Sequence, residues 1–270
     1  MTCTTGSAPA IRMTAQGGVG TIEISNPARR NALSVSMMSE LATALQTLDD
    51  DPRVRVVVLR GAGEEAFISG ADISEFAGRT DDTRRIADDA ADRLFTRLSE
   101  VSVPVIASIH GYCLGAGVAV ALGTDLRCAD TRGVLAIPAA KLGVGYPLAQ
   151  TTALVQTVGP AAAGDLLYTG RHLPAAEAIS MGLLDRIAEP ERLGEVVDEL
   201  AATIADNAPL SVRAAKTAIR AARRAGEGDP AAGELRRRAT EHIGRCAASA
   251  DLHEGTAAFL EKRAPRFTGR

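Results

Sequence analysis

Residues 104–123 read PVIASIHGYCLGAGVAVALG, and this stretch decides the fold. Pro104–Ile109 is a short apolar, β-branched run of the kind found in a strand buried on both faces. From Gly111 to Gly123 the chain reads as a Gly-rich turn entering an apolar helix. Working upstream, Val54–Leu59 is a second buried-strand run, closed by Gly61-Ala62-Gly63, and Ala66–Ile68 is strand-like. Val19–Ser25 alternates apolar and polar residues as a half-exposed strand does. Between these, Leu33, Met37, Met38, Leu41, Leu45 and Leu48 recur at helical spacing, and Asp82–Glu100 fits a polar amphipathic helix. Downstream, Leu126–Ala129 and Val134–Ile137 are short strands, followed by short helices and turns to about Arg186. Beyond Pro190 the chain is rich in Ala, Leu, Arg and Glu and reads as helix only. Strands alternating with helices define an α/β class. The expected layout is a flexible N-terminus at 1–17, an α/β core at 18–195 and a helical region at 196–270 that packs on the core or on a neighbouring subunit.

Composition narrows the function. The 270 residues carry 30 Lys+Arg against 33 Asp+Glu, a formal net charge of −3, which leaves no basic footprint for nucleic acid. Apolar residues make up 46%, enough for a sizeable core, yet no apolar run approaches the roughly 18–20 residues of a membrane span. Cys3, Cys113, Cys128 and Cys246 are scattered, without metal spacing, so neither a disulfide framework nor a metal site is expected. The first twenty residues lack the basic start and apolar stretch of a signal peptide. A soluble, cytoplasmic protein is the expectation.

Two turns stand out as chemistry. One is Ser69-Gly70-Ala71-Asp72-Ile73-Ser74-Glu75-Phe76 after Ala66–Ile68; the other is Gly111–Gly117 after Pro104–Ile109. In each, a strand enters a tight turn that opens a helix, where free backbone N–H groups favour developing negative charge. Two such groups aimed at one point make an oxyanion hole. The plainer reading is a pair of tight strand–helix turns, and spacing alone leaves both open. Neither turn matches a phosphate-binding Gly-rich loop.

Six segments, in order, resemble the crotonase (enoyl-CoA hydratase/isomerase) superfamily over nearly the whole chain: NPARRNALS (26–34), VRVVVLRGAGEEAFISGADISEF (54–76), PVIASIHGYCLGAGVAVALGTDLRCAD (104–130), LGVGYP (142–147), GRHLPAAEAISMGLLDRI (170–187) and EGTAAFLEKRAPRF (254–267). The resemblance implies a spiral of ββα units with a helical C-terminal region, homotrimers or hexamers, and acyl-CoA thioester substrates, with coenzyme A arriving as part of the substrate and no other tightly bound cofactor. It places the oxyanion hole on the N–H groups of Ala71 and Ala116. It places the coenzyme A strip on Ala28, Arg29, Arg30, Ala32 and Leu33, with Arg29 or Arg30 near the phosphates, and on Gly70, Ala71, Asp72, Ile73 and Ser74. Asp72 reads as a capping residue rather than a base. Phe259 and Lys262 match residues that reach a neighbouring subunit's coenzyme A.

The departures are as telling. Where hydratases of the family carry two glutamates, this chain has Ala119 and Ala139, and alanine can neither hold water nor move a proton. Tyr146, in LGVGYP, resembles the tyrosine of the methylmalonyl-CoA decarboxylase branch that contacts the substrate carboxylate, although that branch has a histidine at the position of Ala71; a packing tyrosine is the plain alternative. Asp125 and Asp130 read as structural hydrogen-bonding groups and His110 as a core imidazole, while His172, His242 and His253 receive no catalytic role. Three functions remain: a lyase on an acyl-CoA with a non-standard acid and base, a decarboxylase of a malonyl-type thioester, and a non-catalytic acyl-CoA binder.

Overall fold

A computed structural model describes residues 8–75, 80–224 and 230–270; Cys3 and Phe76 lie outside the described residues. The β-branched runs form the middle of a six-stranded sheet. Its strands are β1 (Ala10–Gln16), β2 (Val19–Ser25), β3 (Val56–Gly61), β5 (Val105–Ile109), β7 (Leu126–Asp130) and β10 (Arg186–Ala188), side by side in that order. All neighbours are parallel except β1 and β2. A four-stranded sheet holds β4 (Ala66–Ile68), β6 (Tyr112–Leu114), β8 (Val134–Ala136) and β9 (Leu173–Pro174).

The chain alternates between the two sheets. β3 lies in the large sheet and β4 in the small one, and α2 (Asp81–Glu100) follows; β5 and β6 repeat the step before α3 (Ala116–Gly123). β7 and β8 repeat it again before a 3-10 turn at Pro138–Leu142 and α4 (Leu148–Thr169). This is the spiral of ββα units that the resemblance implies. α4 is two short helices joined at Gly159, whose φ of 79° breaks the helix before Pro160.

Two expectations need correction. Residues 10–16, read as part of a flexible N-terminus, form β1, which pairs with β2 from Ala10↔Ser25 to Gln16↔Val19. The strand is largely exposed, and the signal was there: Ile11, Met13 and Ala15 alternate with Arg12, Thr14 and Gln16. Second, the turn 111–117 does not lead straight from β5 into a helix, because β6 intervenes at Tyr112–Leu114. Gly111 is the corner between the two sheets: a Cβ there would sit 2.1 Å from the Glu65 carbonyl oxygen.

The two faces of the large sheet carry two apolar clusters. Val57, Leu59, Val105, Ala107, Ile109 and Ala129 face the main core, with α1 (Val35–Asp50) contributing Met37, Leu41 and Leu45 and α2 contributing Leu94 and Leu98. The alternate residues Val56, Val58, Ile106 and Cys128 face Leu193, Val197, Leu200 and Ala201 of α6 (Leu193–Asp206). α6 therefore belongs to the core packing, and the expected boundary at 195/196 falls inside it.

The rest of the helical region is α7 (Pro209–Arg223), α8 (Pro230–Ala247) and α9 (Ala250–Glu261), and α7 packs on α8. It is tied to the core by charge. The buried Lys216 Nζ donates to Asp125 Oδ2 at 2.7 Å and also to the Val103 carbonyl. Arg55 donates to the carbonyls of Ala205 and Phe267, both at 2.8 Å. No described helix is long and apolar enough to cross a membrane. Cys113, Cys128 and Cys246 are free thiols.

Candidate active site

β4 and β6 are parallel neighbours, paired at Ala66↔Tyr112 and Ile68↔Cys113, so the turns that leave them emerge side by side. The first turn is fixed by the loop before α1. Leu33 N–H donates to the Gly70 carbonyl at 2.9 Å and Asp72 N–H to the Leu33 carbonyl at 2.8 Å, an isolated parallel bridge between Leu33 and Ala71. In such a bridge the bonds run through the residues flanking Ala71, which leaves its own N–H pointing to the opposite side. The second turn is fixed by β8, where Gly115 N–H donates to the Ala136 carbonyl at 2.8 Å. Gly115 adopts φ 52°, which favours glycine, and Ala116 then opens α3. The Ala116 N–H is a first-turn donor with no carbonyl of its own helix to meet.

Neither N–H has a described acceptor, and the turns nearly touch. A Cβ on Gly115 would lie 4.0 Å from the Cα of Gly70, and one on Gly70 would lie 3.6 Å from the Leu114 carbonyl oxygen. Two uncommitted main-chain donors on adjoining turns, one at a helix start, can take a single oxygen and stabilise charge on it.

The loop 26–33 is held against this site by two asparagines that the sequence reading passed over. Asn31, buried and at φ 59°, donates to the carbonyls of Ala62 (2.8 Å) and Ala66 (2.7 Å). Its Oδ1 accepts the Asn26 N–H at 2.9 Å, and Asn26 Nδ2 donates to the Ala32 carbonyl at 2.9 Å. The tolerance of asparagine for positive φ is the signal that was available. The expected coenzyme A strip is thus one continuous strip in space. Ala28, Arg29, Arg30, Ile73 and Ser74 are exposed, whereas Ala32, Leu33, Gly70 and Asp72 are buried. Both arginines have acidic partners: Arg29 meets Asp72 Oδ1 at 2.5 Å and Ser74 Oγ at 2.6 Å, and Arg30 meets Glu65 at 2.9 Å while lying over the Tyr112 ring. Asp72 Oδ1 also accepts the Ser74 N–H at 3.0 Å, the capping contact expected of it.

Around the donors the side chains are apolar. Ala119 is buried in α3, one turn from its start, and Ala139 lies in the 3-10 turn after β8, packed with Ala71 and Tyr146 on the main core. The Tyr146 hydroxyl is buried and has no hydrogen-bond partner among the described residues. Burial pushes its pKa up, and the nearby Cys113 thiol, itself raised by burial, adds to the effect, so the phenol is a neutral donor. Gln150, in the first turn of α4, also buries an amide oxygen without a partner. Its signal was a lone amide in an otherwise small and apolar helix face. Phe259 and Lys262 sit at the end of α9; Phe259 is 83% exposed and lines an apolar cleft of about 650 Å³ with Leu252 and Phe267. No three His, Cys, Asp or Glu side chains converge as a metal site among the described residues.

A ββα spiral with paired backbone donors at the ends of two short parallel strands defines a crotonase-type enzyme, and comparison with known proteins agrees. The family model for enoyl-CoA hydratase/isomerase matches residues 14–270. The chain belongs to that family, within the crotonase superfamily, whose members process acyl-CoA thioesters. It is 32% identical to a short-chain-enoyl-CoA hydratase of Clostridium acetobutylicum over 92% of this chain and 93% of that protein. Among solved structures it is similar to an enoyl-CoA hydratase subunit of Geobacillus kaustophilus, at 36% identity and a TM-score of 0.86 over 96% of this chain and 98% of that one. It is also similar to an enoyl-CoA hydratase/carnitine racemase of Magnetospirillum magneticum, at 32% identity and a TM-score of 0.89 over 98% and 97% of the two chains.

Proposed function

We propose that this protein is a lyase acting on an acyl-CoA thioester, whose carbonyl oxygen sits on the N–H groups of Ala71 and Ala116. Charge leaving the α-carbon then collects on that oxygen as an enolate. The observation that carries this reading is the pair of uncommitted donors on adjoining turns, 4.0 Å apart between the ideal Cβ of Gly115 and the Gly70 Cα. The coenzyme A would lie along Ala28–Leu33 and Gly70–Ser74, with Arg29 exchanging its Asp72 partner for a phosphate. In a trimer or hexamer, Phe259 and Lys262 of one subunit would extend the neighbour's site.

On the resemblance, Ala119 and Ala139 stand where hydratases of the family carry their two glutamates, and hydration by such a pair would then not be open to this chain. One observation favours a second reading, decarboxylation of a malonyl-type thioester. The buried, unpartnered Tyr146 hydroxyl is a neutral donor on an apolar wall. There it would hold the substrate carboxylate across the thioester plane. The bond between the α-carbon and the carboxylate breaks, CO2 leaves, and the electron pair flows into the carbonyl held by the two N–H groups; water then supplies the proton to the α-carbon. This step needs no base, which suits a site whose nearest carboxylate, Asp72, is engaged by Arg29 and Ser74.

Purified protein assayed against crotonyl-CoA and methylmalonyl-CoA, beside a binding titration with acyl-CoA and sedimentation of the free chain, tests the proposal. Release of CO2 from methylmalonyl-CoA supports the second reading, and hydration of crotonyl-CoA at a hydratase's rate overturns it. Acyl-CoA binding with no turnover of either substrate points to a silent binder.

A further inference from the structure

The large sheet ends in a second cavity, on the face covered by α6. Parallel register builds it. Glu23, Arg60, Ser108 and Cys128 form one row across β2, β3, β5 and β7. One step beyond Ile109↔Ala129, His110 comes beside Asp130 at the carboxyl ends of β5 and β7. Ser108 and His110, two residues apart, share the face that carries Ile106 and Cys128 in the second apolar cluster. There the apolar face gives way to a cavity of about 480 Å³, closed on one side by Leu193 and Gly194 at the start of α6.

The polar groups in this cavity are incompletely paired. Asp130 is 0% exposed, with Oδ2 accepting from Arg132 at 3.2 Å and Oδ1 accepting from no described residue. His110 Nε2 is also buried without a partner. Burial lowers the pKa of His110 against the pull of Asp130, so the imidazole is neutral at pH 7. The cationic groups present are already engaged, Arg132 by Asp130 and Arg60 by Glu23 at 3.2 Å. Glu64 and Glu191 add two more carboxylates at the rim. A buried carboxylate oxygen left unpaired costs far more than a neutral group, and a donor from a ligand removes that cost.

We propose that this cavity is a binding site for a small alkylammonium ligand, seated on Asp130 Oδ1, His110 Nε2 and the Ser108 hydroxyl. An ammonium carries three N–H donors, one for each of these acceptors, and only one Asp130 oxygen is free, which disfavours a two-pronged guanidinium. A metal ion lacks ligands, since no three such side chains converge among the described residues. The excess of carboxylates over guanidinium groups at the rim suits a second amine a few carbons away. The site lies across the large sheet from the main core and shares no residue with the turns at Ala71 and Ala116.

Calorimetric titration of the full chain with 1,4-diaminobutane, beside butane-1,4-diol of the same length, tests this. The expected result is saturable diamine binding with no diol binding. Asp130→Asn should weaken it by about tenfold or more, the loss expected for a hydrogen bond to a charged group, and leave acyl-CoA affinity unchanged. Should Asp130→Asn fail to fold by circular dichroism, Ser108→Ala replaces it, with a smaller but measurable loss. No saturable diamine binding, equal binding of the diol, or unchanged diamine affinity in the folded variant overturns the proposal. So does a crystal grown in diamine that shows only water between Asp130 and His110.

Discussion

The turns at Ala71 and Ala116 and the cavity at Asp130 both lie where parallel strands end, and they are made of opposite materials. The first presents main-chain N–H groups, one of them at the start of α3 with Ala119 one turn along. The second presents side chains, Asp130, His110 and Ser108, whose placement depends on strand register. A site built from backbone tolerates loss of its polar side chains and keeps its ability to hold an oxyanion. A site built from side chains does not. On the proposed reading, a backbone site of this kind would survive the change of both glutamate positions to Ala119 and Ala139.

The sharpest way to break the contrast is Ala116→Pro. Proline is accepted at the first position of a helix, so α3 should survive while the N–H is lost. Thioester turnover should fall by roughly 10²-fold or more, measured beside circular dichroism; a folded variant with full activity refutes the backbone site. Next comes restoration of what is missing. Ala119→Glu with Ala139→Glu should raise crotonyl-CoA hydration by roughly 10²–10⁴-fold over the parent, followed by loss of the enoyl absorbance or by product analysis. No gain in a folded double variant would mean that those positions do not face the substrate.

A smaller effect separates a working tyrosine from a packing one. Tyr146→Phe keeps the ring and should slow decarboxylation of methylmalonyl-CoA by about one to two powers of ten, the worth of a hydrogen bond to a charged group, with acyl-CoA affinity held. Equal rates would assign Tyr146 to packing. The smallest effect concerns the other end of β7, where Asp125 is paired with Lys216 while Asp130 is not fully paired. Burial holds the Lys216 pKa down to about 8, against the pull of Asp125. The unfolded chain, with lysine near 10.4, binds more protons than the folded one between about pH 8 and pH 10.4. Lys216 therefore adds stability as pH rises through that window, by at most about 1.4 kcal/mol per unit. Denaturant midpoints of the parent should gain on those of Lys216→Met across it. Parallel curves would show that the pair titrates no differently when folded.

Much of this was legible in sequence because burial imposes composition. β3 and β5 lie in the sheet interior, and their runs VVVLRG and VIASI are nearly all apolar as a result. The small sheet is harder to read: β4, β6 and β8 have three residues each, too few for any period to show. The two turns were legible from Gly70 and Gly115, since positive φ leaves a residue signature, while the oxyanion role was assigned by the resemblance alone. Asn31, which fastens loop 26–33 to the Ala62 and Ala66 carbonyls, offers only its tolerance of positive φ as a signal, and one asparagine makes that a weak one. His110 and Asp130 were read as structural for a different reason. Their adjacency arises from pairing between strands twenty residues apart, and their lack of partners is a property of three-dimensional packing alone.

The Arg55 clip has a consequence for the order of folding. Its guanidinium joins β3's leading edge to the Phe267 carbonyl, 212 residues away. Closing a loop costs entropy that grows with the logarithm of its length, about 0.6 kcal/mol for each doubling, and a contact of this span is favourable only after intervening elements have shortened the effective path. The helices α7 and α8, neighbours in sequence, can associate early; the clip must come last. In native-state hydrogen exchange the segment around Phe267 should therefore open on its own, ahead of the sheet to which it is fastened, so that the last contact made is the first released.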